Sequence, residues 1–232
     1  MLTEIIDLPS KGKLYPKDHP LASGQLELKY MTAKEEDILT TQSYIENEIV
    51  TDKLLESVIV DKNIDQLDLT IGDKEKALLQ TRILGYGPEY SFSYNKKEYT
   101  VDLSDVNDRG KPELFDNTPF IEYELPVSGK KVTIKIPNGH DIKALTDEIN
   151  ALRKSGSPVG AVSLRLAHLI KAIDGEQNEK AIREFSKEMP SRDSLALRTF
   201  VEVITPDVDL STEIEGEEVE IPLGINFFYP TR

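Results

Sequence analysis

The chain has 232 residues, with 28 Lys+Arg against 42 Asp+Glu, giving a formal net charge of −14. Such a surplus repels phosphate backbones and anionic lipid, so neither nucleic acid nor a membrane is an expected partner, and no local basic cluster offsets it. Cysteine is absent, which excludes disulfides, thiolate metal sites and cysteine nucleophiles.

The length allows one large domain or two small ones. Apolar runs such as Leu54-Leu55 and Val58-Ile59-Val60 fall far short of the roughly 20 residues a membrane span needs. Residues 1–7 lack the basic start and apolar core of a secretory signal, so a reducing cytosol is the expected compartment.

In chain order, Leu2, Ile5, Ile6 and Leu8 open an extended segment that turns at Leu8-Pro9-Ser10-Lys11-Gly12-Lys13. Residues 25–31 alternate Leu26, Leu28, Tyr30 with Glu27 and Lys29, the period of a half-buried strand. Thr32-x-x-Glu35 has the spacing of a capping box and predicts a helix start. Apolar positions from Ile38 to Ile59 predict two short helices broken near Val50-Thr51-Asp52. A longer helix is predicted over 73–84, stopping at Gly85-Tyr86-Gly87-Pro88. Tyr90, Phe92, Tyr94 and then Tyr99, Val101, Leu103 alternate around an Asn95-Lys96-Lys97 turn, which predicts a hairpin. Residues 106–119, with Gly110, Pro112 and Pro119, look like a linker between an N-terminal unit over 1–105 and a C-terminal unit over 120–232.

The second unit begins with strands ending at Leu125-Pro126 and running through Val132, Ile134 and Ile136. Helices are predicted over 141–154, 161–173, 178–188 and 193–204. A further extended turn surrounds Gly216, and Ile225-Asn226-Phe227-Phe228-Tyr229-Pro230 reads as an apolar terminal strand or docking segment. Leu8-Pro9 with Gly12-Lys13 matches Leu125-Pro126 with Gly129-Lys130, and Leu79-Gln80-Thr81 matches Leu197-Arg198-Thr199. These matches raise the hypothesis of two degenerate copies of one strand–helices–hairpin unit. The expected class is α+β.

The search for chemistry yields little. His19, His140 and His168 do not form a helical metal motif. His168, between Leu166 and Leu169, suits packing or an interface, and His140 a turn. Lys11-Gly12-Lys13 and Ser128-Gly129-Lys130 lack phosphate-loop spacing. Glu35 and Glu36 fit a helix's first turn, where negative charge meets the positive end of the dipole. No catalytic, cofactor or metal residue is expected, and a small-molecule ligand is not. Aromatic residues concentrate around Tyr86 to Tyr99 and at Phe227-Phe228-Tyr229, as suits protein interfaces or cores.

The run Leu8-Pro9-Ser10-Lys11-Gly12-Lys13-Leu14-Tyr15-Pro16, followed by Leu26 to Thr40, resembles the opening of the baseplate protein family of T-even-like contractile-tailed bacteriophages. Ile71-Gly72-Asp73-Lys74, Arg82-Ile83-Leu84-Gly85-Tyr86-Gly87, Arg192-Asp193-Ser194 and Pro206-Asp207-Val208-Asp209 continue it in order, over essentially the whole chain. The resemblance implies a non-enzymatic hub protein or hub-assembly factor, working in the host cytoplasm on other tail or hub proteins, the tape-measure protein among them. Two alternatives stand beside it: a structural subunit retained in the virion, and a hub-associated cell-wall hydrolase. The expected partner contacts are Leu8, Pro9, Lys11, Leu14 and Tyr15 in the first loop, and Phe227, Phe228 and Tyr229 at the end.

Overall fold

The structure, a computed structural model, describes residues 2–222 and 225–228. It is an α+β fold of short antiparallel strand pairs and eight helices among those residues.

Strand β1 (Thr3–Asp7) pairs with β2 (Gln25–Lys29), Ile6 opposite Leu26. Alternation along β2 sends Leu26 and Leu28 into the core. Helix α1 (Ala33–Thr40) starts where expected: the Glu35 carboxylate accepts the Thr32 N–H at 2.9 Å and its hydroxyl at 2.7 Å. Two short helices were expected between the Thr32 cap and Ile59, but three form, α1 being followed by both α2 (Gln42–Glu46) and α3 (Val50–Val58). The chain breaks at Thr41 and again before Val50, where Glu48 takes a positive φ of 57°. Val50-Thr51-Asp52 are thus the first turn of α3, with Asp52 at the positive end of the helix. Helix α4 (Ile71–Tyr86) ends at Gly87. Strands β3 (Glu89–Tyr94) and β4 (Lys97–Asp102) follow, joined by Asn95 and Lys96, both at positive φ as a tight two-residue hairpin turn demands. Lys97 belongs to the strand, opposite Tyr94.

The expected linker is an ordered bridge. Its β5 (Asp108–Arg109) pairs with β9 (Asp207–Val208) near the far end of the chain. The Lys111 N–H bonds the Ile204 carbonyl at 3.0 Å, and Phe115 is buried with Leu14, Ile136 and Ile204.

Beyond it, β6 (Phe120–Glu124), β7 (Lys131–Lys135) and β8 (Ile170–Ile173) form one sheet. Helices α5 (Gly139–Lys154), α6 (Ala161–Leu169), α7 (Glu179–Glu188) and α8 (Ser191–Ile204) accompany it. The helix expected over 161–173 stops at Leu169, because Ile170 and Ala172 alternate inward as a strand against β7. The described residues close with β10 (Ser211–Ile214), β11 (Glu217–Glu220) and a helical turn over Ile225–Phe228, where a strand or docking segment was expected.

The core does not respect the expected division into 1–105 and 120–232. Ile214, Val219, Ile221, Phe227 and Phe228 pack into the cluster built by β1 to β4, whereas Leu125, Val132, Ile134, Leu166, Ile170, Ile182 and Leu197 form the second cluster. The segment carrying Ile214 to Ile221, with Phe227 and Phe228, crosses over to complete the first core.

The halves nevertheless share connectivity. Each begins with a strand pair in which a leucine N–H closes the loop, Leu8 to the Gly24 carbonyl at 2.8 Å and Leu125 to the Lys130 carbonyl at 2.9 Å. Each second strand ends on a lysine paired to the capping carboxylate of the next helix, Lys29 with Glu35 and Lys135 with Asp141, both at 2.6 Å. Ile59 after α3 bridges to Leu28, as Ile170 after α6 pairs with Ile134. A helix, α4 or α8, and a hairpin follow in both, with α2 extra in the first half and α7 extra in the second.

Candidate partner-binding surfaces

The first expected contact, the loop after β1, turns out to be an internal bracket. Of the expected contacts, Leu8, Pro9, Leu14 and Tyr15 are buried and Lys11 is exposed, as are Lys13 and Pro16 beside them. The carboxylate of Asp73, the third residue of α4, accepts the Ser10 N–H at 3.0 Å and the Tyr15 hydroxyl at 2.5 Å, while the Thr70 N–H donates to that hydroxyl at 3.1 Å. Burial pushes the Asp73 carboxyl up against the pull of these bonds, and burial with Asp73 alongside raises the Tyr15 phenol well above its ordinary value. Gly12 sits at φ 74°, where an added Cβ would lie 2.3 Å from the Ala22 carbonyl oxygen, so the tight turn requires glycine. A buried side chain offers no surface to a partner; the expected contacts Leu8, Pro9, Leu14 and Tyr15 fix the loop instead.

The aromatic end behaves likewise. Phe227 meets Tyr90 edge-on at 5.0 Å and Phe228 at 5.3 Å, and both phenylalanines are buried. Arg82 anchors this end, its Nε donating to the Phe227 carbonyl at 2.9 Å and its Nη atoms to the carbonyls of Gly87 and Glu89. Phe227 and Phe228 are therefore core residues of their own chain. Tyr229 lies outside the described residues.

Two of the three histidines converge on one carboxylate: His19 and His140 each place Nε2 against Asp68, at 3.5 and 3.2 Å. His19 also accepts the Leu21 N–H at 3.2 Å and stacks on Tyr15, while His168 stands apart and bonds Glu148 at 2.8 Å. Arg183 also pairs with Glu148, and its bonds, with that of His168, outweigh burial and hold the Glu148 carboxyl at about 2. Burial pushes the Glu35 carboxyl up, but bonds from Lys29, Ser57 and Thr32 win and keep it at about 2. Among the described residues no group of three or more acidic or histidine side chains is placed to hold a metal ion.

Beside a cleft lined by Phe120, His168, Lys171, Glu179 and Arg183, two further concavities lie on the surface of the described residues. One, beside α1 and α3, carries Lys29, Lys34, Lys53 and Lys62. Three of these are engaged, Lys29 with Glu35, Lys53 with Glu56 and Lys62 with the carbonyls of Glu56 and Ile59. The other is a groove of about 630 Å³ between α8 and the turn Pro112–Leu114. Leu114, Leu195 and Val203 stand 47%, 58% and 51% exposed along it. Tyr123 and Phe200, stacked at 4.3 Å, contribute to its lining, and Lys111 and Arg192 supply cationic groups.

The sequence reading missed this groove. Its signal was nonetheless present: the apolar residues Leu195, Leu197, Phe200, Val201 and Val203 cover about two thirds of the circumference of α8, leaving a polar stripe of Ser194, Arg198 and Glu202, a wider arc than one buried face requires.

No described helix is long and apolar enough to cross a membrane. No curated protein and no solved structure matches the chain. A family model, described as T4 bacteriophage base plate protein, matches residues 1–221. With nearly its whole length matched, the chain belongs to the T4 bacteriophage base plate protein family.

Proposed function

We propose that this base plate protein is a non-enzymatic factor in assembly of the baseplate hub, acting transiently on other tail and hub proteins by surface contact. The observation that carries this reading is the apolar groove on α8, exposed in a chain whose net charge is −14. Contiguous exposed apolar surface marks an interaction site, because leaving it in water costs free energy that a partner recovers. The other exposed large apolar residues include Leu2 and Ile5 on or beside β1, Ile45 on α2 and Val162 on α6, spread over separate elements. Permanent assemblies bury upwards of about 2,000 Å² of strongly apolar interface, so a single groove favours a partner that comes and goes. The acidic surface suits basic clients and keeps the factor soluble between encounters.

Four of the perturbed carboxylates support contact rather than catalysis as the mode of action. Glu35 braces a helix start, Glu148 joins three elements, and Asp73 and Asp193 hold loops. Each is engaged in folding geometry rather than aimed into a cleft.

Protein mass spectrometry of purified particles tests the reading. The chain is expected to be absent from finished tails, while phage lacking it make few tails. Stoichiometric amounts in the particle would instead make it a retained structural subunit. Clearing of peptidoglycan by the purified chain would reinstate the hydrolase.

A further inference from the structure

We propose that the concavity beside α1 and α3 seats an acidic segment of another tail protein, whose carboxylates meet Lys34 and Lys62 and whose apolar side chain lies against Ile38, Tyr44 and Val60. The inference rests on the contact role above and adds a second surface, with a partner of stated charge.

The sequence shows no basic cluster because these lysines are scattered along it and stand next to acidic residues, in Lys34-Glu35-Glu36-Asp37, Asp52-Lys53 and Asp61-Lys62. The fold separates the two signs. Glu35 is buried and paired with Lys29, Glu36 accepts from the Tyr86 hydroxyl at 3.0 Å, Asp52 pairs with Lys74, and Asp61 accepts the Asn63 N–H at 2.9 Å. The hollow of about 480 Å³ is left with Lys29, Lys34, Lys53 and Lys62 against the carboxylate of Glu56.

Its free hydrogen-bonding groups are donors. Glu56 already accepts from Lys53 at 2.7 Å, and Ser57 turns its hydroxyl to Glu35 at 2.6 Å. Among the described residues neither the Lys34 ammonium nor the Tyr44 hydroxyl has a hydrogen-bond partner. Lys62 meets the carbonyls of Glu56 and Ile59, at 2.9 and 2.6 Å, so its charge faces no carboxylate. Unmatched ammonium groups in a hollow call for anionic acceptors, which make the stronger, charge-assisted bonds. Half-buried Ile38, Tyr44 and Val60 add an apolar wall, so the occupant carries an apolar residue among its acids.

A short acidic segment suits this hollow better than the other anions at hand. Nucleic acid needs a track of cations along several phosphates, and the rest of the chain repels it. A local segment feels mainly the lysines, because charges beyond about 8 Å are screened at physiological salt. The occupant is not a second copy. The chain's own most acidic stretch, Glu213 to Glu220, has Ile214 and Val219 buried in its core, while Glu215 is held by Lys97 and Tyr99 and Glu217 by Tyr94.

The test places a photo-crosslinking phenylalanine analogue at Glu56 of the full chain, which leaves every lysine of the hollow in place, with Val162 on α6 as the control site. Each variant is expressed in infected cells, and the captured peptides are sequenced. The Glu56 position is expected to capture one segment of another tail protein, net negative and carrying an apolar residue. Lys34→Glu added to this variant should lower capture about tenfold with unchanged melting, whereas Lys154→Glu, the same charge change at the end of α5, should leave it within about twofold. Capture of a basic or uncharged segment, of nucleic acid or of a second copy, equal capture at Val162, equal loss with Lys154→Glu, or no capture would each overturn the proposal. Tail yield of phage lacking the chain is scored separately. Lost tails without capture at Glu56 overturn the seating alone, and normal tails overturn the assembly role.

Discussion

Asp193 shows how much one side chain does in this fold. Its carboxylate receives two loop N–H groups, whose bonds outweigh burial and hold it below the ordinary carboxylate value. Asp193→Ala leaves both donors without that acceptor and should cost about 3 kcal/mol in urea unfolding, and a loss under about 0.5 kcal/mol would show that the loop finds other partners. Glu75 provides a test of opposite sign. Burial, with Asp207 beside it, raises its carboxyl from 4.5 to about 7. The folded state thus holds the proton more firmly than the unfolded chain, so the contribution to stability is complete below about 4.5 and fades as pH rises through about 7. Glu75→Gln, which mimics the protonated form, should melt higher than the parent at pH 8 and lose this advantage at pH 5; parallel melting profiles would contradict the assignment. At this scale the sequence revealed what is local. The Thr32 to Glu35 cap is written within one helical turn, whereas nothing near Asp73 or Asp193 announces a partner loop far away in the chain.

Among elements, the strands and helices with clean periodicity were legible, and the departures have identifiable causes. Ile170 to Ile173 extends an apolar helix pattern in the sequence, yet pairing with β7 claims it as a strand, a long-range choice that local pattern does not encode. The terminal aromatics read equally well as docking segment or core. Arg82, with three carbonyls to satisfy, draws the chain end onto α4 and decides for the core. Phe228→Ala should therefore destabilise the fold by about 3–5 kcal/mol, measured by denaturant unfolding. A change near zero would mean that the end is undocked in solution.

For the molecule as a whole, the expected boundary at 106–119 looked convincing because proline, glycine and polar residues dominate it. What the composition hid is that β5 pairs with β9 and that the last hairpin and the helical turn after it complete the first core. A fragment of residues 1–119 lacks Ile214, Val219, Ile221, Phe227 and Phe228, so it should bind hydrophobic dye and show collapsed amide dispersion by NMR. Native-like dispersion in that fragment would refute the shared core. Family membership was legible from ordered short strings spread over the whole chain. The groove was not, because a helix with so wide an apolar arc does not say which part of it the fold leaves open.

The most direct test of the account is complementation of phage lacking this chain by the Leu195→Asp, Val203→Asp double variant. Both positions are more than half exposed, so each change should alter stability by no more than about 0.5 kcal/mol. The account predicts a normally folded variant that fails to restore tails. Tail yield equal to that of the parent chain would contradict it.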